Sequence, residues 1–245
     1  MGISLYKKFI LITIFGIAMA LLESTVVVYL RELYYPDGFT GTFNPMPQRL
    51  IIVELLRELA TLIMLLATGW IAGQTNYSRF AWFLYTFAVW DIFYYVWLKA
   101  FIDWPLSIFD WDILFLLPVT WLGPVLAPVI CSVTMIVFSV LILLGESGAT
   151  KIRITAVSWG FIIAGSLVIY SSFTKDYTMM IIKHGFYKDL ANLLQNPAFI
   201  EMSRTFVPVS FSWLWFLFGE LLILAGFSIS LIRNTVPSSP ANLNT

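Results

Sequence analysis

The sequence predicts an all-α, polytopic transmembrane helix bundle of about six spans. Three observations carry that fold class. Of the 245 residues, 60% are hydrophobic and only 11% are charged, where an ordinary soluble domain carries about a quarter. The apolar residues gather in runs long enough for a spanning helix, which needs ~20 residues. Most tryptophans sit near the ends of those runs, where interfacial anchoring puts them. So few charges would not cover a soluble globule of this length. The balance of 14 basic and 14 acidic residues also argues against a nucleic-acid binder.

The first span covers about 9–31. Lys7 and Lys8 precede it, and Ala18-Met19-Ala20 resembles a signal-peptidase site. The apolar run continues to Leu30, so a retained signal-anchor helix is expected. The remaining spans are expected at about 50–72, 79–99, within 117–144, 154–173 and 207–232. Together, 1–236 read as a single transmembrane domain. The Ser/Pro/Asn-rich tail 237–245 reads as disordered.

Two stretches are irregular. Residues 101–128 carry Pro105, Pro118, Pro124 and Pro128 with Asp103, Asp110 and Asp112. They suggest a short interfacial helix and a kinked approach to the fourth span, with the three aspartates solvated. A re-entrant loop there needs protein to cover its backbone. In 176–195, Met179, Ile182, Phe186, Leu190 and Leu193 recur at helical spacing. That pattern predicts an amphipathic helix on the outer surface, with His184 exposed on it.

Orientation follows the short loops. With the N-terminus inside, the inner set is Lys7, Lys8, Arg79, Lys151, Arg153 and Arg233, against Arg31, Arg49 and Lys99 outside. The long 174–206 loop adds Lys175, Lys183, Lys188 and Arg204 outside, but long loops weigh less. Both termini are expected to be cytoplasmic. Trp97, Trp104, Trp111, Trp121, Trp213 and Trp215 then form an outer belt, Trp70, Trp82 and Trp159 an inner one, and Trp90 lies deep.

Several chemistries are excluded. Cys131 stands alone and has no metal-ligand spacing around it. His184 is the single histidine, which rules out bis-histidine haem and His-rich zinc sites. Gly-rich phosphate loops, EF-hand loops and zincin motifs are missing. Asn76-Tyr77-Ser78 matches a glycosylation sequon but falls in a loop assigned inside. No cofactor, metal or catalytic residue is expected.

The informative residues are the ionisable ones inside the spans: Glu23, Glu54, Arg57, Glu58, Asp91 and Glu220. Each is costly in hydrocarbon and should face the bundle interior or a wet cavity. Glu23, Glu58 and Asp91 each lie eight residues from a span end, which places all three ~12 Å below the outer surface. Glu54, Arg57, Glu58, Thr61 and Thr68 share one face of the second span. Arg57 is the only deep cation; it can pair with Glu54 at i,i+3 or reach Glu23 or Asp91. Tyr94 and Tyr95 stand at i+3 and i+4 from Asp91, within hydrogen-bonding reach on its own helix. Five carboxyls and one guanidinium cannot all be ionised in a low-dielectric interior. The surplus acids must carry protons or a bound cation, and Glu220, the deepest, is the best candidate for a neutral acid.

Three runs carry a resemblance: Glu54-Leu55-Leu56-Arg57-Glu58-Leu59-Ala60-Thr61, Trp90-Asp91-Ile92-Phe93-Tyr94-Tyr95, and Trp111-Asp112-Ile113-Leu114-Phe115 leading to Pro118, Trp121, Pro124 and Pro128. Over about 15–130 the chain resembles an uncharacterised type of bacterial multi-spanning inner-membrane protein with no assigned activity. The resemblance implies a bacterial inner-membrane location. The Glu/Arg run is superficially similar to membrane-embedded CAAX-type proteases. Their motif needs adjacent glutamates and intramembrane histidines, and this chain has neither.

The leading expectation is a bundle that handles protons or cations at Glu23, Glu54, Arg57, Glu58 and Asp91, with Arg57 holding the cluster together. A non-catalytic subunit of a larger membrane complex is the alternative, and a lipid-modifying enzyme comes third. The expected partners are the lipid bilayer and, on the second reading, other membrane subunits.

Overall fold

A computed structural model describes residues 4–35, 46–148, 152–206 and 210–235. The expected disordered tail lies outside the described residues. Within them the chain is all-α, with seven helices and one β-hairpin. Five helices are long and apolar enough to cross a membrane: α1 (Leu5–Tyr34), α3 (Asn76–Ile102), α4 (Leu126–Ser147), α5 (Ala156–Lys183) and α7 (Trp213–Thr235, its apolar part ending at Ile232). Helix α2 (Gln48–Ala72) has comparable length but carries Glu54, Arg57 and Glu58 along its body. The short α6 (Pro197–Thr205) precedes α7.

Helix α3 is the hub and packs against α1, α2 and α4. Its start is fixed by a capping box: the Thr75 hydroxyl accepts the Ser78 N–H, and Ser78 answers to the Thr75 backbone. Buried hydroxyls tie the hub to α1. Thr13 meets the Tyr85 hydroxyl at 2.7 Å, and Ser24 donates to the Tyr94 carbonyl at 3.1 Å.

Helices α5 and α7 form a separate pair. Small residues let their backbones touch. A Cβ on Gly165 would stand 2.5 Å from the Gly219 carbonyl, and one on Gly226 2.8 Å from the Ser158 carbonyl. Close approach through small residues is how helices associate where lipid removes the hydrophobic drive. Phe138 of α4 stacks on Phe227 of α7 at 3.9 Å and helps join the pair to the hub group.

Between the two groups sits the hairpin, β1 (Trp111–Phe115) antiparallel to β2 (Trp121–Pro124). This corrects the interfacial helix expected over 101–128 and the helical reading of 117–125. Pro118 and Pro124 lack the N–H a helix interior needs, and the aromatic and β-branched residues of β1 suit a pleated strand. The base of the hairpin bonds back to the 108–110 turn, with Val125 N–H to the Asp110 carbonyl at 3.0 Å. Its far end reaches Phe87, near the middle of α3, where Phe115 stacks at 6.2 Å. Gly123 lies flat against Phe173, whose ring a Cβ there would meet at 2.7 Å.

A second correction concerns 176–195. The first half continues α5 to Lys183, and 186–195 form 3₁₀ turns interrupted at Asp189. Gly185, in the left-handed region at φ 73°, separates them. His184 lies at that break, exposed, with Nδ1 2.9 Å from the Met180 carbonyl. Trp82, expected in the inner belt, is 1% exposed and packs in a core cluster.

Candidate functional site

The buried ionisable residues do not share one set of partners. The hairpin divides them into two groups of different character.

On the α1–α2 side the charges are matched. Arg57 bonds Glu54 along its own helix at 2.7 Å and pairs with Glu23 across from α1. The i,i+3 spacing makes the first contact, and the planar guanidinium can serve both carboxylates. A second pair, unforeseen from sequence, lies close by: Arg31 donates to Asp112 at 3.0 Å, with Asp112 only 3% exposed. Thus Asp112 is not a solvated interfacial residue, and Arg57 is not the only buried cation. Arg31 also lies 3.7 Å from the Trp104 ring centroid, a cation–π contact. Tyr94 and Tyr95 hydrogen-bond Asp112, and Tyr95 also lies near Asp91. Asp103 does stay exposed, bonded to Lys99 at 2.7 Å, and Asp110 caps the turn at Leu106 and Ser107.

Glu58 stands apart from its helical neighbours. Its two carboxylate oxygens accept the Leu116 N–H at 2.9 and 3.0 Å and the Leu117 N–H at 3.2 Å. A turn carried into an apolar bundle leaves backbone donors that must find partners, and Glu58 is that partner. Glu54, Arg57, Glu58, Arg31 and Asp112 line a small cavity of about 100 Å³. Nearly every charge there has a specific structural task.

On the α4 side neither acid has an ion pair among the described residues. Asp91 leaves α3 toward α4 and accepts the Ser132 hydroxyl at 2.7 Å. Glu220 leaves α7 toward the same helix and accepts the Thr134 hydroxyl at 3.1 Å through Oε2. Its Oε1 is buried without a hydrogen-bond partner among the described residues, and the side chain is 5% exposed. Cys131 lies beside it. Both carboxyls line one cavity of about 310 Å³ bordered by α3, α4, α5, α7 and the hairpin. The other walls are largely apolar and aromatic, including Phe87, Phe115, Trp121, Tyr170 and Phe173.

A larger cavity of about 890 Å³ lies beyond the hairpin tip, between the first half of α2, the second half of α5, and the 3₁₀ segment with α6. Tyr170 lines both cavities. It meets Trp121 edge-on at 5.0 Å, and the Trp121 indole is tethered to the Leu117 carbonyl at 2.8 Å.

No protein-family model, curated protein or solved structure matches this chain. Function must therefore be argued from the site itself.

Of the sequence-derived candidates, Glu23, Glu54, Arg57 and Glu58 cluster on one side of the hairpin, with Tyr94 close to Asp112. Asp91 and Glu220 line one cavity on the other. Sequence counting missed Arg31 and Asp112, and also Ser132 and Thr134, which are ordinary residues in an apolar run. Only the proximity of α4 to α3 and α7 gives those two hydroxyls a role.

Proposed function

We propose that this chain is a multi-pass membrane protein that exchanges protons for a cation at Asp91 and Glu220. The observation that carries this reading is two carboxyls on one cavity, Glu220 buried and Asp91 half-buried, with no ion pair to either among the described residues. Intramembrane acids are costly and mark ion or proton pathways. Two ionised carboxylates without a counter-charge are untenable in a low-dielectric interior. The pair is neutral when both acids carry protons. It is equally neutral when one proton has left and a monovalent cation has taken its place. The two states have the same net charge, so proton and cation compete for one site, the condition for coupled exchange. Ser132 and Thr134 donate to the carboxyls and hold them in place through either state.

In this reading the Arg57 group is scaffold. It ties α1 to α2, while Glu58 and Arg31 fasten the hairpin that walls the cavity. Helix α2 is the sixth span: 25 residues give ~37 Å of helix, and its ionic face is covered by α1 and the hairpin. The end opposite the hairpin carries Lys7, Lys8, Arg79 and Arg153, which supports a cytoplasmic placement of that end. We place the protein in a bacterial inner membrane on the likeness of its three sequence runs.

The experiment is reconstitution into proteoliposomes with a trapped pH-sensitive dye. An imposed cation gradient should move protons through the wild-type protein, and Asp91→Asn or Glu220→Gln should abolish that movement.

A further inference from the structure

We infer that the cation taken at Asp91 and Glu220 is a lipophilic organic ammonium and not a metal ion. The inference rests on the exchange reading above and names its substrate class.

Three features of the cavity argue for it. First, its volume of about 310 Å³ lies at the low end of the range for small-molecule sites and far exceeds the room a bare ion needs. Second, the polar atoms are sparse and dispersed. Calcium takes six to eight oxygen ligands, and magnesium demands a near-ideal octahedron. Among the described residues no group of three or more His, Cys, Asp or Glu side chains is placed to hold a metal. Here one carboxyl projects from α3 and the other from α7, each engaged by a single hydroxyl of α4. Glu220 lines the cavity, and its buried Oε1 has no hydrogen-bond partner among the described residues.

Third, the walls are aromatic. Phe87, Phe115, Trp121, Tyr170 and Phe173 surround the space next to the carboxyls. Aromatic faces attract ammonium groups, most strongly where water is excluded. A carboxylate supplies the charge partner, and the rings take the alkyl or aryl body of the ligand. An inorganic ion would leave those apolar walls unused.

The neighbouring cavity supplies a route. Its walls are mainly apolar, with Leu55, Ile181, Leu193 and Phe199 among them. Tyr170, which packs on Trp121, lines both cavities and stands between them. An amphipathic cation can partition into the larger cavity and pass this aromatic pair to reach Glu220. The pair is the selectivity element: it offers π faces to an ammonium and no oxygen cage to a metal ion.

The test measures binding to the intact protein in detergent by calorimetry, with benzyltrimethylammonium as the probe and sodium, potassium and magnesium chlorides as competitors. Proton release is read from the dependence of the heat on buffer ionisation enthalpy. Benzyltrimethylammonium should bind with release of one proton and resist competition by the inorganic salts. Glu220→Gln should abolish the release, and Trp121→Leu or Tyr170→Leu should weaken binding roughly tenfold, the equivalent of about 1.4 kcal/mol. Should Glu220→Gln fail to fold, Thr134→Val is the milder variant and should also weaken binding. Binding of sodium, potassium or magnesium with proton release, and none of benzyltrimethylammonium, overturns the organic substrate and leaves the exchange reading standing. Absence of both binding and proton release overturns the two together.

Discussion

Glu58 of α2 accepts the backbone N–H of Leu116 with both carboxylate oxygens, at 2.9 and 3.0 Å, and so holds the tip of the hairpin inside the bundle. A charge-assisted bond to a buried donor is among the stronger hydrogen bonds. Glu58→Ala strands the amides of Leu116 and Leu117 and should cost about 2–3 kcal/mol. Glu58→Gln keeps one acceptor oxygen and should cost less. Thermal unfolding in detergent measures the cost, and hydrogen exchange should rise at Leu116 and Leu117 before other parts of the hairpin.

The Arg57 group should behave as scaffold. Arg57→Ala leaves Glu23 and Glu54 without their cation, which should cost about 3–5 kcal/mol. The triple variant Glu23→Gln, Glu54→Gln, Arg57→Met removes all three charges together. It should recover most of that stability and retain proton-coupled flux in proteoliposomes. Loss of flux in a triple variant of normal stability would return this group to the functional site.

Asp112 and Asp103 make opposite predictions although both lie in the segment between α3 and α4. Asp112 is buried against Arg31, so Asp112→Ala should destabilise by about 3 kcal/mol. Asp103 is 82% exposed and its partner Lys99 50% exposed; Asp103→Asn should change stability by at most about 0.5 kcal/mol. Asparagine also tolerates the left-handed backbone at φ 52°. Melting temperatures of the two variants settle the contrast.

The α5–α7 contact is steric. Gly219→Leu drives a side chain into Ile169 and the Gly165 carbonyl, both within 3 Å of a Cβ there, and should cost at least about 1–3 kcal/mol. Gly160 has nothing within 4 Å of its Cβ position. Gly160→Ala should therefore be neutral or stabilise by about 0.5–1 kcal/mol. The two midpoints, measured side by side, check the packing.

Much of this architecture was legible in the sequence. Runs of ~20 apolar residues locate α1, α3, α4, α5 and α7, and the i,i+3 spacing of Glu54 and Arg57 announces their pair. Counting residues from span ends gives depth but not direction around the bundle. For that reason the equal depth counted for Glu23, Glu58 and Asp91 did not show that Asp91 faces Ser132 on α4. The hairpin escaped because a short apolar run such as Trp111–Phe115 does not tell strand from helix by periodicity. With the hairpin unseen, Asp112 had no reason to be buried and Arg31 no partner. The 176–195 pattern was real as a repeat of apolar residues, but Gly185 breaks the helix within it. Glu220 was singled out by depth alone; its cavity required the packing of α7 beside α4.

The central claim is that Asp91 and Glu220, not the Arg57 group, exchange protons for a cation. Proton flux driven by a benzyltrimethylammonium gradient in proteoliposomes tests it most directly, with wild type, Glu220→Gln and the Glu23/Glu54/Arg57 triple variant reconstituted at equal density. The account predicts flux in the wild type and the triple variant and none in Glu220→Gln. Flux that survives Glu220→Gln, or that is lost only in the triple variant, would contradict it.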